Sequence, residues 1–281
     1  TWNPDNVLKG ARHITLAGDY AYITADAGLV VVRLSDPIPA NPPRDYDYSK
    51  LNPQLMAVLP LTDARASAVQ FRYLWVTDAD GIKLFDITRL EAPVAVPSGT
   101  VRLADARKLY LARTFAYVAA KQDGLVIIDM TNPEAPREYM RYNAGGILND
   151  AEDVIVGSTN ATLFAYVADG RNGMKVLQLT SPPSQPNFYG FSPDPRPELI
   201  AWARTPSAAL AVAKGLDRDR GVDESGGQMA IFGRLGSRPF TRSEMEKLFL
   251  NKAGRPYKVS DTVTMADWLG PRPAMLTGRG Q

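Results

Sequence analysis

The chain has 281 residues, of which 45% are hydrophobic, and a formal net charge of +2 at pH 7. A charge this small, with lysine and arginine scattered among acidic residues, argues against a nucleic-acid-binding surface. The chain has no cysteine and one histidine, which excludes disulfides, thiolate metal sites, histidine-cluster metal sites and covalently attached c-type haem.

Four copies of one strand pattern follow one another along the chain. Each copy has a short strand with an aromatic residue, a turn that ends in glycine, and a nearly unbroken apolar strand. The four glycines are Gly28, Gly81, Gly124 and Gly173. Their spacing of 53, 43 and 49 residues is typical of propeller blades. The apolar strand predicts burial on both faces, as between two neighbouring blades.

The turns and strand ends of the copies also repeat. The hairpin turn needs a positive φ at or near Gly124 and its counterparts, which favours glycine. Five residues after the glycine stand Asp86 and Asp129 in copies two and three, and Arg33 and Gln178 in copies one and four. We expect the aspartates to accept hydrogen bonds from the turn that leaves each blade.

The third copy carries a family resemblance. Residues 116–136, with Ala-Tyr-Val-Ala followed by Asp-Gly-Leu-Val-Ile-Ile-Asp-Met-Thr-Asn-Pro-Glu-Ala-Pro, resemble the LVIVD repeat of bacterial and archaeal secreted or surface proteins. The resemblance covers residues 11 to about 190 and implies a β-propeller. Arg33 and Gln178 depart from the family's aspartate, which leaves that position as a turn residue and not a ligand. The resemblance implies little about activity, because one scaffold hosts many functions.

The pattern weakens after the fourth copy. Residues 208–213 and 228–232 predict two more strands, which would form a degenerate fifth blade. Residues 241–253 begin with a capping box and predict a short helix. We therefore predict an all-β fold, with a propeller of about five blades over residues 1–236 and a C-terminal helix and extended arm over residues 237–281.

Few residues suggest metal or acid–base chemistry. Closely spaced carboxylates at Asp217, Asp219 and Asp223 are the best metal candidate, because Ca²⁺ takes oxygen ligands. Two arginines in the same run offer these carboxylates ion pairs, and we favour a polar connection without a metal. His13 lies among predicted strand residues, where we expect a structural role. No cofactor is expected, with Ca²⁺ as the alternative.

Two segments are candidates for contact with another protein. The long insertion over residues 37–60 is proline-rich and carries Tyr46 and Tyr48, which a partner can contact. The C-terminal arm carries Trp268 and Leu269, and its apolar side chains are costly to leave in water. We expect the arm to dock on another subunit, either a different protein or a second copy, and docking on its own chain is the competing outcome. No stretch approaches the ~18 apolar residues that cross a membrane.

The function that these features favour is a non-enzymatic scaffold or binding module that acts through protein–protein contacts. We expect it to be secreted, periplasmic or at the cell surface. Two alternatives stay open. One is an accessory subunit of an extracellular multihaem redox assembly, because LVIVD-like propellers accompany multihaem modules. The other is a carbohydrate-active hydrolase, which would need acidic residues that converge at one mouth of the central channel.

Overall fold

A computed structural model describes residues 1–44, 47, 50–159, 162–181, 192–213, 230–231, 234–235, 238–239, 250 and 253–255. The chain divides into two compact units. The first comprises residues 1–203 and 207–212, and the second comprises residues 204–206 and 213–281. The boundary predicted between residues 236 and 237 stays a prediction, since both lie outside the described residues.

Blade 1 is an antiparallel sheet of four strands in chain order. The strands are β1 (His13–Ala17), β2 (Tyr20–Ala25), β3 (Gly28–Arg33) and β4 (Gln54–Leu59). The first sequence copy corresponds to β2 and β3, the two central strands. The outermost strand β4 lies inside the stretch that we predicted as an insertion. Its residues are only partly buried, and an outer strand of this kind lacks the continuous apolar run that marks β3.

Blade 2 has the same order, with its outermost strand in two pieces. The strands are β5 (Ala66–Gln70), β6 (Tyr73–Asp78), β7 (Gly81–Asp86), β8 (Val94–Ala95) and β9 (Val101–Arg102). Both β8 and β9 pair with β7. A 3-10 turn at Pro97–Gly99 separates them, because proline cannot donate a hydrogen bond to the ladder.

Blades 3 and 4 are also four-stranded antiparallel sheets in chain order. Blade 3 comprises β10 (Leu109–Ala112), β11 (Phe115–Ala119), β12 (Leu125–Asp129) and β13 (Arg137–Tyr142). Blade 4 comprises β14 (Asp153–Thr159), β15 (Thr162–Ala168), β16 (Met174–Thr180) and β17 (Glu198–Ala203). In both blades the outer pair of strands contains a register shift. The described part of the first unit is therefore a series of four similar blades.

The hydrophobic core lies between successive blades. The innermost strands contact one another in sequence, β1 with β5, β5 with β10 and β10 with β14. The aromatic residue of the repeat is central to each layer. Tyr22, Trp75 and Tyr117 are at most 1% exposed, while their counterpart Tyr166 in blade 4 is 37% exposed. The apolar strand β3 is buried along five of its six residues, which confirms the predicted two-sided burial.

The chain after blade 4 only partly matches the predicted fifth blade. Over residues 208–213, where we predicted a strand, the structure has an isolated bridge between Ala209 and Gly170. This bridge repeats the one between Ala151 and Lys121, where blade 4 begins. Ala209 therefore contacts the hairpin turn of blade 4 as Ala151, at the start of blade 4, contacts the hairpin turn of blade 3.

The second unit contains one described sheet. Its strands are β18 (Ala230–Ile231), β19 (Arg234–Leu235) and β20 (Arg238–Pro239). Strand β18 falls within the predicted strand 228–232. Residues 214–229, 240–249 and 256–281 lie outside the described part of the chain, so the fifth blade, the helix and the extended arm stay predictions. No helix among the described residues is long and apolar enough to cross a membrane.

Candidate functional site

One end of the first unit carries a repeated tripeptide that sequence reasoning missed. The strand registers place the start of each inner strand, the hairpin turn between the two central strands and the end of each outer strand at the same end. The tripeptides that precede the four inner strands are Gly10-Ala11-Arg12, Asp63-Ala64-Arg65, Asp105-Ala106-Arg107 and Asp150-Ala151-Glu152. The repeat was visible in the sequence, but an alignment on the hairpin glycines passed over it.

The arginines of the first three tripeptides each reach an acidic residue in the tripeptide of the next blade. These inter-blade ion pairs are Arg12 Nη2 to Asp63 Oδ1 at 3.6 Å, Arg65 Nη1 to Asp105 Oδ1 at 2.8 Å, and Arg107 Nε to Glu152 Oε2 at 4.0 Å. Arg65 also donates to the carbonyl oxygen of Ala106 at 2.8 Å. Glu152 stands where the other blades have arginine, so the series of arginines ends at blade 4.

Lys121, in the hairpin turn of blade 3, supplies a second cation beside Arg107 at the junction of blades 3 and 4. Its Nζ lies 2.6 Å from Asp150 Oδ1 and also contacts Glu152. The hydrogen bond from Lys121 holds the pKa of the Asp150 carboxyl below its ordinary value. Partial burial acts to lower the pKa of Lys121, but the two carboxylates outweigh it and raise that pKa. Lys121 and Asp150 therefore stabilise each other in their ionised forms.

A cavity of about 910 Å³ opens beside this junction. We call it the turn-end pocket. Its described lining comes from the two inter-blade connections and from the hairpin turns of blades 3 and 4: Ala104, Asp105, Ala120, Lys121, Gln122, Asp123, Asn149, Asp150, Arg171 and Asn172. This volume lies within the range of small-ligand sites. The lining consists of loop residues held on strands, an arrangement common to binding sites.

Most charges in the turn-end pocket are already paired. Asp105 receives hydrogen bonds from Arg65 and from Arg107, and Asp123 contacts Arg141. Arg171 is held more loosely than these residues, by one long ion pair. Its side chain is 90% exposed, and its Nε lies 3.9 Å from Asp150 Oδ2, beyond hydrogen-bond distance.

A buried ion pair stabilises the hairpin turn of blade 4. Asp169 and Lys175 are 0% and 2% exposed, and Lys175 Nζ lies 3.3 Å from Asp169 Oδ2. Lys175 donates a hydrogen bond to the carbonyl oxygen of Asn172 at 2.7 Å. Asp169 Oδ1 accepts the N–H of Asp150 at 2.7 Å. The pair therefore fixes two of the main-chain segments that line the turn-end pocket.

A second polar group lies near the starts of the inner strands. Lys108 Nζ is 2.9 Å from Asp153 Oδ2, and the N–H of Val212 donates to the same oxygen at 2.9 Å. His13 Nδ1 accepts the N–H of Ser67 at 3.3 Å. Burial lowers the pKa of His13, the positive charge of Lys108 lowers it further, and Asp153 opposes the change. These contacts agree with the structural role expected for His13.

The state of His13 predicts how stability depends on pH. Because its pKa is lowered on folding, the unfolded chain binds more protons near pH 6.5, and stability falls as pH drops below that value. We expect His13→Asn, whose amide oxygen can accept the Ser67 N–H, to flatten this dependence. Thermal unfolding of both proteins between pH 5 and 8 measures it. Parallel losses in both proteins below pH 6.5 would contradict the assignment.

The residues predicted as sites from the sequence all lie outside the described part of the chain. They are Tyr46, Tyr48, Asp217, Asp219, Asp223, Trp268 and Leu269. Among the residues that the structure does describe, no three histidine, aspartate or glutamate side chains are grouped as metal ligands. The predicted turn role of the repeat aspartates is confirmed, since Asp86 and Asp129 each accept the N–H of the residue two positions later.

Comparison with protein families identifies the repeat. The model of the LVIVD repeat matches residues 10–42, 104–144 and 150–191. These segments contain central strands of blades 1, 3 and 4, and blade 2 lies between the first two matches with the same strand order. No curated protein sequence matches the chain at a significant level.

Several solved structures align with this chain at low sequence identity. A luciferin-regenerating enzyme aligns with a TM-score of 0.45 and 12% identity over 75% of this chain and 68% of its own. AztD from Citrobacter koseri aligns with a TM-score of 0.38 and 13% identity over 68% of this chain and 48% of its own. PorZ, a surface component of the type-IX secretion system of Porphyromonas gingivalis, aligns with a TM-score of 0.34 and 14% identity over 72% and 29%.

Proposed function

Because the chain carries LVIVD repeats folded as consecutive β-propeller blades, we propose that it is a non-enzymatic binding module that acts through protein–protein contacts. We place it outside the cytoplasm, as a secreted, periplasmic or surface protein. The turn-end pocket is the surface that we assign to binding, and the partner is a polypeptide.

The pairing of the pocket charges is the observation that carries this proposal. Lys121 is held by two carboxylates and Asp105 by two arginines. A side chain that is already ionised and paired is poorly suited to exchange a proton with a substrate. The same pairs fix the positions of the loops. Fixed loops lower the entropic cost of binding a partner.

The hydrolase alternative finds less support at this site. A glycosidase needs one carboxyl group whose pKa is raised, so that it stays protonated and donates to the leaving group. In the turn-end pocket the pKa of Asp150 is lowered by Lys121. The alternative of an accessory subunit in a multihaem assembly is a special case of the binding proposal, with a redox protein as the partner.

A bulky side chain in the pocket tests the proposal. Gln122 is an exposed residue of the blade 3 turn, and Asp19 is an exposed residue at the opposite end of blade 1. Gln122→Trp is expected to block the pocket, while Asp19→Trp serves as the matched control. Partners are captured by crosslinking in cells that naturally produce the protein. We expect a partner that the wild type and Asp19→Trp capture and that Gln122→Trp loses.

The contrary results are equally specific. Capture of the same partners by Gln122→Trp would remove the pocket from the proposal. Turnover of glycoside, ester or phosphate substrates by the purified protein, abolished by Asp150→Asn, would replace binding with catalysis.

A further inference from the structure

We propose that Arg171 binds a carboxylate side chain of a polypeptide partner, and that Lys121 keeps Arg171 available by occupying Asp150. This inference rests on the proposed function, since it names the chemistry by which the turn-end pocket recognises its partner. It assigns a binding role to two residues that no sequence motif had singled out.

The backbone at Lys121 is the first support. Lys121 has φ +47°, and its counterpart Gly170 in blade 4 has the same φ of +47°. Both residues form the bridge to the start of the following segment. Glycine adopts this left-handed conformation without steric cost, whereas lysine does not. A lysine at this position is therefore less favourable for the backbone than the glycine of the sister blade. The ion pairs of the Lys121 side chain with Asp150 and Glu152 offset this cost.

The side chain of Lys121 changes the surroundings of Arg171. Asp150 Oδ1 is occupied by Lys121 Nζ at 2.6 Å, and Asp150 Oδ2 accepts the main-chain N–H of Arg171 at 3.1 Å. Among the described residues, Asp150 is the acid within ion-pair distance of the Arg171 guanidinium, at 3.9 Å. Lys121 and the main-chain N–H of Arg171 hold Asp150 closely, and the guanidinium keeps only the long ion pair among the described residues, with its side chain 90% exposed.

The turn that carries Arg171 is fixed before any partner arrives. The buried Asp169 and Lys175 hold the main chain at Asp150, which accepts the N–H of Arg171, and at Asn172, the next residue. The side chain of Asn172 adds a hydrogen bond to Asn149 Oδ1 at 2.8 Å. Because the turn is already fixed, the conformational entropy lost when a partner binds is confined to the arginine side chain.

Guanidinium and carboxylate groups match in shape and charge. Arginine presents paired N–H donors that bind both oxygens of a carboxylate, and such charge-assisted bonds are stronger than neutral ones. Arginine is also enriched among the residues that dominate protein interfaces. The amide side chains of Gln122, Asn149 and Asn172 line the same pocket and suit the peptide groups on either side of an acidic residue.

The test uses an array of polar octapeptides, each with one glutamate, and a paired array with glutamine in its place. We expect glutamate peptides to bind about tenfold more tightly than their glutamine partners. Arg171→Gln is expected to remove this preference. Lys121→Met is expected to weaken it although Arg171 is intact, because Asp150 then draws Arg171 into a closer ion pair than the present 3.9 Å. Arg137→Gln, at a residue whose side chain is 80% exposed on blade 3, is the control and should bind as the wild type does.

Unfolding temperatures of all variants establish that each one is folded. The proposal is wrong if glutamate and glutamine peptides bind equally, if no peptide binds, or if Arg171→Gln keeps the preference. Binding of neutral oligosaccharides that depends on Arg171, in place of peptides, also overturns it. If Gln122→Trp loses the captured partner while Arg171→Gln retains it, the binding module stands and the role of Arg171 fails.

Discussion

Replacing Lys175 with valine is expected to lower the free energy of unfolding by about 3–5 kcal/mol, and adding Asp169→Ala is expected to restore most of that loss. The single change leaves the carboxylate of Asp169, which is 0% exposed, without its counter-charge. Removing both charges leaves no buried charge without its counter-charge, and the remaining loss is one hydrogen bond each at the N–H of Asp150 and the carbonyl oxygen of Asn172.

The sister blades supply the reason for expecting recovery. The two positions are Asp78 and Lys83 in blade 2, Ala25 and Val30 in blade 1, and Ala120 and Val126 in blade 3. Charged pairs therefore alternate with alanine–valine pairs along the four blades. None of these four blades combines a charged residue at one of the two positions with an apolar residue at the other. Both alanine–valine pairs are buried in the cores of their blades. The double variant makes blade 4 resemble blades 1 and 3 at these positions.

Urea unfolding of the wild type, both single variants and the double variant forms a double-mutant cycle. We expect a large coupling energy, with the double variant close to the wild type. A double variant as unstable as the sum of its single changes would show that the two residues do not act as a pair.

Gly124→Val is expected to destabilise the protein by more than about 3 kcal/mol, well beyond the loss from Asp129→Ala. Gly124 has φ +73°, and a Cβ there would lie 2.5 Å from the carbonyl oxygen of Tyr142 and 3.0 Å from that of Leu148. These are main-chain atoms of blade 3 and its connection, so they cannot move without disturbing the sheet. A β-branched residue tolerates neither the contact nor the conformation.

Asp129→Ala is the comparison in the same hairpin. Asp129 accepts hydrogen bonds from Thr131 and from Arg137, and we expect a loss of about 1–2 kcal/mol when they are removed. Arg33 and Gln178 stand at this position in two sister blades, so the contact is dispensable there. Urea midpoints of the two variants decide the matter. Equal midpoints would mean that the turn does not require glycine.

The central hairpin of each blade could be predicted from the sequence, because its signal is local. Tyr22 and Gly28, for example, belong to one short stretch, and the glycine follows the aromatic residue by six residues in copies one and two and by seven in copies three and four. The flanking strands could not be predicted in the same way. Strands such as β4 and β13 are half exposed, so their sequences lack the continuous apolar run that burial on both faces imposes.

The turn-end pocket could be predicted even less. Its residues come from segments as far apart as Ala104 and Asn172, and its charges act through contacts between blades. Lys121 and Asp150 look like ordinary surface residues in the sequence. Only the repeated tripeptide, with its change from arginine to Glu152, is a local signal that pointed to this end of the blades.

The inter-blade ion pairs give the array of blades a direction. Each arginine reaches forward to the acid of the next blade, so a blade carries a donor at one junction and an acceptor at the other. Blade 4 has Glu152 in place of arginine. It can therefore accept an ion pair from the arginine of blade 3, but it has no arginine at this position for a following blade. A gene duplication that inserted a further copy of blade 2 or blade 3 ahead of blade 4 would keep every junction matched. The same copy placed after blade 4 would begin with an acid that no arginine reaches. The charges at the junctions therefore specify the order of the blades.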